Sequence, residues 1–356
     1  MTTPKFLNVK GSSFHQELKH RVNEYFESAH KATTGNFKLY FKAILFWSLY
    51  IALYVHVLFF TPSAWFAIPE CFIMGGLTAG IGFNVMHDGA HGSFSKSKFW
   101  NYIAAFSVNG LGASALMWVN KHNIVHHTYT NVDGVDDDIE LKPFIRMCQT
   151  QKKYKIHRYQ HIYVWLLYTM LLLFWVFASD YTKYFKKKVG IVPIKKFSIW
   201  QHITFWGAKL FYYFIMIALP IMKVGFVNWL VGFLIISLFA GLILSTVFQL
   251  AHTVEDTAFP MPTGDTNKIE EEWALHQLKT TANFATKNKL ICWLVGGLNF
   301  QIEHHLFPKI SHVHYPAISK IIKQTCQEYG IRYIEYRKMR HALVSHTMHL
   351  KHMGRV

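Results

Sequence analysis

Acidic residues are scarce in this chain: 20 Asp and Glu stand against 37 Lys and Arg, a formal net charge of +17. Charge of either sign makes up only 16% of the 356 residues, whereas 51% are apolar and 17% aromatic, which points away from a soluble domain and toward a membrane protein. The positive excess by itself would suit nucleic acid, anionic lipid or an anionic substrate, and membrane spans take nucleic acid off that list. Cysteine is scarce as well. Cys71, Cys148, Cys292 and Cys326 are scattered without a CxxC pair, so no disulfide framework is expected and the four read as reduced core residues. The first forty residues lack a cleavable signal peptide and are polar and basic, with Lys5, Lys10, Lys19 and Lys31, so the N-terminus is expected to stay cytoplasmic. Neither an internal repeat nor a low-complexity linker divides the chain. The expected organisation is one membrane domain over residues 41–310, with a cytoplasmic amphipathic segment (1–40) before it and a basic cytoplasmic segment (311–356) after it.

What is present begins with helical periodicity. Phe14, Leu18, Val22 and Phe26 recur at helical spacing, which predicts an amphipathic helix lying on the membrane or on the domain. Four apolar runs follow that approach the ~20 residues a span requires: 41–60, 64–86, 203–222 and 226–250. They pair as two hairpins, joined by Thr61-Pro62-Ser63 and by Lys223-Val224-Gly225. Lys209 is expected to snorkel to the interface and Glu70 to sit toward the outer end of the second span. Two further stretches, 100–119 and 161–177, are ambiguous by hydropathy. Lys96, Lys98 and Lys121 flank the first, and Lys152, Lys153 and Lys183 with Lys186–Lys188 flank the second. Positive flanks are cytoplasmic, so each stretch reads as interfacial or half-inserted. The expected fold is therefore an all-α integral membrane protein of four transmembrane helices in two hairpins, with interfacial helices, a cytoplasmic histidine-rich cap and both termini cytoplasmic.

The 22 histidines carry the chemistry. His87-Asp88-Gly89-Ala90-His91 follows the second span, and imidazoles four residues apart on a helix project from one face and can converge on one metal. His122-Asn123-Ile124-Val125-His126-His127 holds another such pair, with His127 rotated by roughly 100° and free to serve a second metal. Gln301-Ile302-Glu303-His304-His305 repeats the adjacent-histidine device, and His252 ends the fourth span. Four spans bring all eight to the cytoplasmic face, whereas a crossing at 100–119 would put ~30 Å of bilayer between His87 and His122. Imidazole suits iron, copper, zinc or nickel, so ligand type alone does not name the metal.

Read together, the HDGAH, HNIVHH and QIEHH boxes make the chain resemble the membrane-bound fatty acid desaturases, over about residues 41–308. Gln301, at the head of the third box, is similar to the front-end subgroup, which acts on polyunsaturated acyl chains, as is the segment HQLKTTANFA from His276. That subgroup often carries a fused cytochrome b-type domain with an HPGG motif, and none occurs here. The resemblance implies two non-haem irons held by His87, His91, His122, His126, His127, His252, His304 and His305. It further implies oxygen as co-substrate, a fatty acyl-CoA or acyl-lipid substrate, and a separate electron donor, ferredoxin or cytochrome. Related enzymes of the superfamily insert oxygen instead, as hydroxylases and monooxygenases do, and a histidine-rich metal transporter is the reading from outside enzymology. A transporter would place its ionisable ligands mid-span, where only His56 lies.

Other polar residues have plainer readings. Gln301 can ligate weakly, hold a water or only hydrogen-bond. His276 reads as structural or as an outer partner of the site. Asp88, Asp137 and Asp138, with Asp136, can orient ligating imidazoles or form an acidic surface turn. His341, His346, His349 and His352 read as a solvated basic face, and His312 and His314 as flanking the site. Glu17/His20 and Glu27/His30 read as surface pairs, and Gly76 and Gly80 as a place where spans pack closely. Substrate selection is expected in a narrow apolar tunnel between the spans, entered from the basic cytoplasmic face, with lysines such as Lys186–Lys188 available to an anionic headgroup.

Overall fold

The computed structural model describes residues 3–6, 14–264 and 266–356; Lys10 lies outside them. Helix α1 (Phe14–Ser28) buries Phe14, Leu18, Val22 and Phe26, as its periodicity predicts. It lies on the domain, against Ile318, Ile322 and Cys326 of a later helix. Withdrawing four such side chains from water is worth up to about 6–12 kcal/mol.

Four helices are long and apolar enough to cross a membrane: α2 (Phe37–Phe59), α3 (Ala64–His91), α8 (Ile199–Val224) and α9 (Phe226–His252). Local chemistry sets their ends. The Asn36 side chain accepts from the Lys38 amide at the start of α2, and Ser198 and Gln201 form a reciprocal capping box at the start of α8. Gly225 separates α8 from α9. Between α3 and α8 lie two bent pairs: α4 (Lys98–Gly110) with α5 (Ala115–Tyr129), turned by 111°, and α6 (Lys155–Thr169) with α7 (Leu171–Lys186), turned by 60°. These are the two stretches that hydropathy left ambiguous. At the sharper turn Gly112 has φ +94, and a Cβ there would meet the Tyr212 ring at 2.7 Å, so the bend needs glycine.

Two expectations fail here for the same reason, burial. Lys209 does not snorkel: its side chain is 3% exposed and its Nζ lies 2.8 Å from Asp180 Oδ2. The tail is no uniformly solvated basic face either. In helix α14 (Met339–Met353), His341 and His352 are exposed, but His346 and His349 turn inward. His346 bonds to the Tyr168 hydroxyl and the Thr253 carbonyl, and His349 to the Met147 carbonyl. An α-helix with apolar partners on one side buries whatever sequence stands on that stripe, and here the stripe contains imidazoles whose bonds to neighbours replace water. At the other end of the molecule His56 Nδ1 lies 3.0 Å from the Glu70 carboxylate, beside Thr61. The four cysteines are free.

Candidate metal centre

Helix α3 does not stop where its apolar run ends. It widens into a π-helical turn at Gly82–Met86 and continues through His87–His91, so that the first histidine box is an extension of the span. Helix α4 crosses directly over it, which is why position 89 is glycine: a Cβ there would sit 2.6 Å from that of Ala104. Helix α5 carries a second π-helical stretch, Asn120–His126, that holds His122 and His126. Such bulges are frequent at functional sites because they re-aim side chains without ending the helix. The third box forms a short helix of its own, α12 (Gln301–Leu306), all of it buried.

The eight predicted histidines meet. Ring nitrogens of His87, His91, His122 and His304 lie within 4.8 Å of one another, as do those of His126, His252 and His305. His127 stands between the two groups: its Nε2 is 2.8 Å from Nε2 of His304 and 3.2 Å from that of His122, and it also clusters with His305. Buried ring nitrogens of His87, His91, His126, His127, His252 and His305 have no protein partner among the described residues. Lone pairs that converge at such distances repel unless a cation lies among them, and orphaned buried polar atoms are costly. The donor set fits two cations that favour imidazole.

Outer partners aim these rings. His126 Nδ1 donates to the Asp136 carboxylate at 3.0 Å and lies 3.2 Å from Asp138. His252 Nδ1 donates to the Thr280 carbonyl at 3.2 Å, His305 Nδ1 to Gln277 Oε1 at 2.8 Å, and His304 Nδ1 is bonded to the Tyr315 hydroxyl at 3.1 Å. The bonds to carboxylate and carbonyl oxygens fix a tautomer and leave Nε2 as the lone-pair atom facing inward, and the Tyr315 hydroxyl orients the His304 ring. Burial first, and then the neighbouring imidazoles, hold His122, His127, His304 and His305 well below the usual histidine range, so these rings are neutral. Burial acts the same way on His126, but the Asp136 and Asp138 carboxylates outweigh it and lift that ring above the usual value. Glu303, wholly buried between Asn283 and Tyr333, is pushed up to about 7 by desolvation.

The remaining predicted residues fall elsewhere. Asp88 reaches no ring of the two groups; its Oδ2 accepts from Ser311 Oγ at 2.6 Å and lies 3.1 Å from His312, which also bonds to Lys42. Asp137 pairs with Lys183 at 3.0 Å and more loosely with Lys121, because the turns that follow α5 direct its carboxylate toward those ammonium groups and away from the rings. His276 is fully buried in α10 (Trp273–Thr280), packed edge-on against Phe6 and outside both histidine groups. Gln301 is buried at the head of α12 with its amide nitrogen unpartnered, also outside them. Gln277 is the residue that sequence reasoning passed over. Its amide donates to the His127 carbonyl while its oxygen takes the His305 proton. The available signal was its place on the apolar stripe with Ala274 and Leu278.

A narrow apolar cleft with a cavity volume of about 20 Å³ runs between α3, the α4–α5 turn, α7 and α9, with Thr78, Leu111, Trp175 and Leu244 among its walls and His87 and Trp118 at one end. Trp118 stacks on His122 with ring centres 4.3 Å apart, so the cleft abuts the histidine cluster.

Comparison with known proteins agrees with this geometry. The family described as fatty acid desaturase matches residues 63–337. The chain is 35% identical to the sn-1 linoleoyl-lipid 6-desaturase of Arthrospira platensis, over 99% of this chain and 96% of that one. It is 36% identical to the acyl-lipid (8-3)-desaturase of Physcomitrium patens, over 99% of this chain and 74% of that one, and 31% identical to the probable Delta(5) fatty acid desaturase C of Dictyostelium discoideum, over 99% and 78%. A histidine-lined centre at the end of an apolar cleft, in a multi-pass helical protein that matches these sequences over almost its whole length, places the chain in the fatty acid desaturase family.

Proposed function

We propose that the protein desaturates acyl chains carried on membrane lipids, at a centre of two irons. One iron would be held by His87, His91, His122 and His304, the other by His126, His252 and His305, with His127 between them. The observation that carries this reading is the convergence of eight buried histidines, six with a ring nitrogen that has no partner among the described residues, at one end of an apolar cleft. Bound iron, with oxygen and two electrons from a separate protein donor, a ferredoxin or a cytochrome, supplies the removal of two hydrogens from an unactivated chain, which no side chain can perform.

The chain's own residues do the rest. Asp136, Thr280 and Gln277 hold the imidazoles in the tautomers that face inward, and Tyr315 orients the His304 ring. Phe83, Met86 and Trp118 line the approach with apolar surface that excludes water, and the cleft holds a flexible chain in one register. A lipid-linked substrate is favoured over a coenzyme A thioester because the relatives named above act, by name, on linoleoyl-lipid and acyl-lipid. Four crossings, with the two bent pairs re-entering from the histidine side, put both termini and all eight histidines on the cytoplasmic face.

Expression in a host without desaturases tests the reading. New double bonds located by mass spectrometry should appear first in the complex-lipid pool, and His304→Ala should abolish them while the protein still inserts. Hydroxylated products, or double bonds that arise first in acyl-CoA, would overturn it.

A further inference from the structure

Lys209 and Asp180 face each other within the helical bundle, with 3% and 1% of their side chains exposed. Lys209 lies about 15 Å along α8 from its start. Its three ammonium protons are all used, on Asp180 Oδ2 at 2.8 Å, the Gly112 carbonyl at 2.7 Å and the Val176 carbonyl at 3.0 Å. Asp180 is equally occupied: Oδ2 also accepts from the Ser114 amide at 2.8 Å, and Oδ1 from the Trp175 indole at 3.1 Å. Two opposite charges in a spanning bundle are expensive to desolvate, and an apolar pair of the same volume would commonly hold the helices together as well. Such residues mark function by default.

Their partners have one thing in common. Gly112 lies between Leu111 and Ala113, which Ser114 follows, and Val176 follows Trp175. Leu111, Ala113 and Trp175 are walls of the apolar cleft. The pair therefore fastens α8 to the two irregular pieces of backbone that shape the cleft, the 111° turn between α4 and α5 and the π-helical stretch Trp175–Ser179 within α7. Irregular backbone at this depth has no water to bond to and keeps its form only through internal partners.

We infer that Lys209 and Asp180 are positioning residues that set the bend and depth of the cleft, and thereby which carbon pair of the acyl chain meets the metal centre. The inference rests on reading the cleft as the acyl site. Neighbouring methylenes differ in position by little more than an ångström, so a small relaxation of the α4–α5 turn presents the wrong pair, and misplacement on that scale can cost about 100-fold in rate at the proper one.

The test compares Lys209→Met, Asp180→Asn and the double variant, with protein abundance, metal content, double-bond position and the chain-length profile of thermal stabilisation by saturated phospholipids all measured. Each single variant leaves an unpaired polar group or charge and is expected to accumulate poorly. The double variant should recover abundance and metal content yet spread its double bonds over two or more positions, the minor product rising about tenfold, and flatten the chain-length profile. Recovered abundance with a single unchanged position, or a uniform loss of turnover without a positional shift, overturns the inference. Should the double variant fail to accumulate, Lys209→Arg, which keeps the charge but changes its reach and alters no wall of the cleft, must still shift the position, and an unchanged product overturns it. Thr78→Trp separates the two readings. If filling the cleft alters neither product nor profile, the cleft is not the acyl site; if it alters them while the Lys209/Asp180 variants do not, the positioning role alone fails.

Discussion

Gln277 Oε1 lies 2.8 Å from His305 Nδ1 and takes its proton, which leaves His305 Nε2 facing His126 and His252. Through its amide nitrogen the same side chain bonds to the carbonyl of His127. One glutamine thus orients a ring of the second group and braces the backbone at the histidine shared with the first. Gln277→Leu is expected to lower metal affinity at the His126, His252 and His305 group by about 10–100-fold. After dialysis against a graded chelator the variant should retain one ion while the parent retains two. Equal retention would show that the bond has no such role.

The two groups differ in composition, and their losses should be separable. Elemental analysis of the parent is expected to give two irons per chain. His252→Ala should lose one of them, His91→Ala the other, and His127→Ala, which removes the ring between the groups, should reduce both. Zinc in place of iron, or one ion per chain in the parent, would contradict the assignment.

His346 and His349 give the fold a predictable response to acid. Burial lowers both rings from 6.5 to about 4. Because the folded value lies below the unfolded one, the stability from keeping these rings neutral is complete above pH 6.5 and is lost as pH falls toward 4. At pH 5 each accounts for about 2 kcal/mol, an order-of-magnitude figure. Around His346 stand Tyr168, Thr253 and His349, and among the described residues no carboxylate is bonded to the ring to offset a charge. Thermal denaturation of the protein in detergent at pH 7.5 and 5.0 should show a smaller gap for His346→Gln than for the parent. An identical gap would discount the ring.

Topology can be read chemically. Single cysteines introduced at Pro62 and Gly225 should react with an impermeant thiol reagent from the far side of the membrane, and one at the exposed Lys187 should react only from the cytoplasmic side. Far-side labelling at position 187 would require the α4–α5 or α6–α7 pair to cross.

Elements whose physics is local or periodic were legible in the residues alone. The apolar runs marked all four long helices to within a few residues at most ends, since length and hydropathy suffice for a span; α3 alone runs five residues past its run, through His91. The spacing of Phe14, Leu18, Val22 and Phe26 named the buried face of α1. The four histidine groups were legible because residues four apart share a helical face at any place in any fold. Which groups meet, and what surrounds them, depended on packing in three dimensions. That His122 joins His87, His91 and His304 while His126 joins His252 and His305 follows from the π-helical stretch at Asn120–His126 and from the crossing of α4 over Gly89. Lys209 and His346 read as surface groups from composition, and they are buried because Asp180, Gly112 and Val176 in one case, and Tyr168 and Thr253 in the other, supply the bonds that water would otherwise make. Periodicity assigns a side chain to a face of its own helix, but the cost of burying its polar atoms depends on partners far away in the chain, 178 residues for His346 and Tyr168, which the packed fold brings within reach.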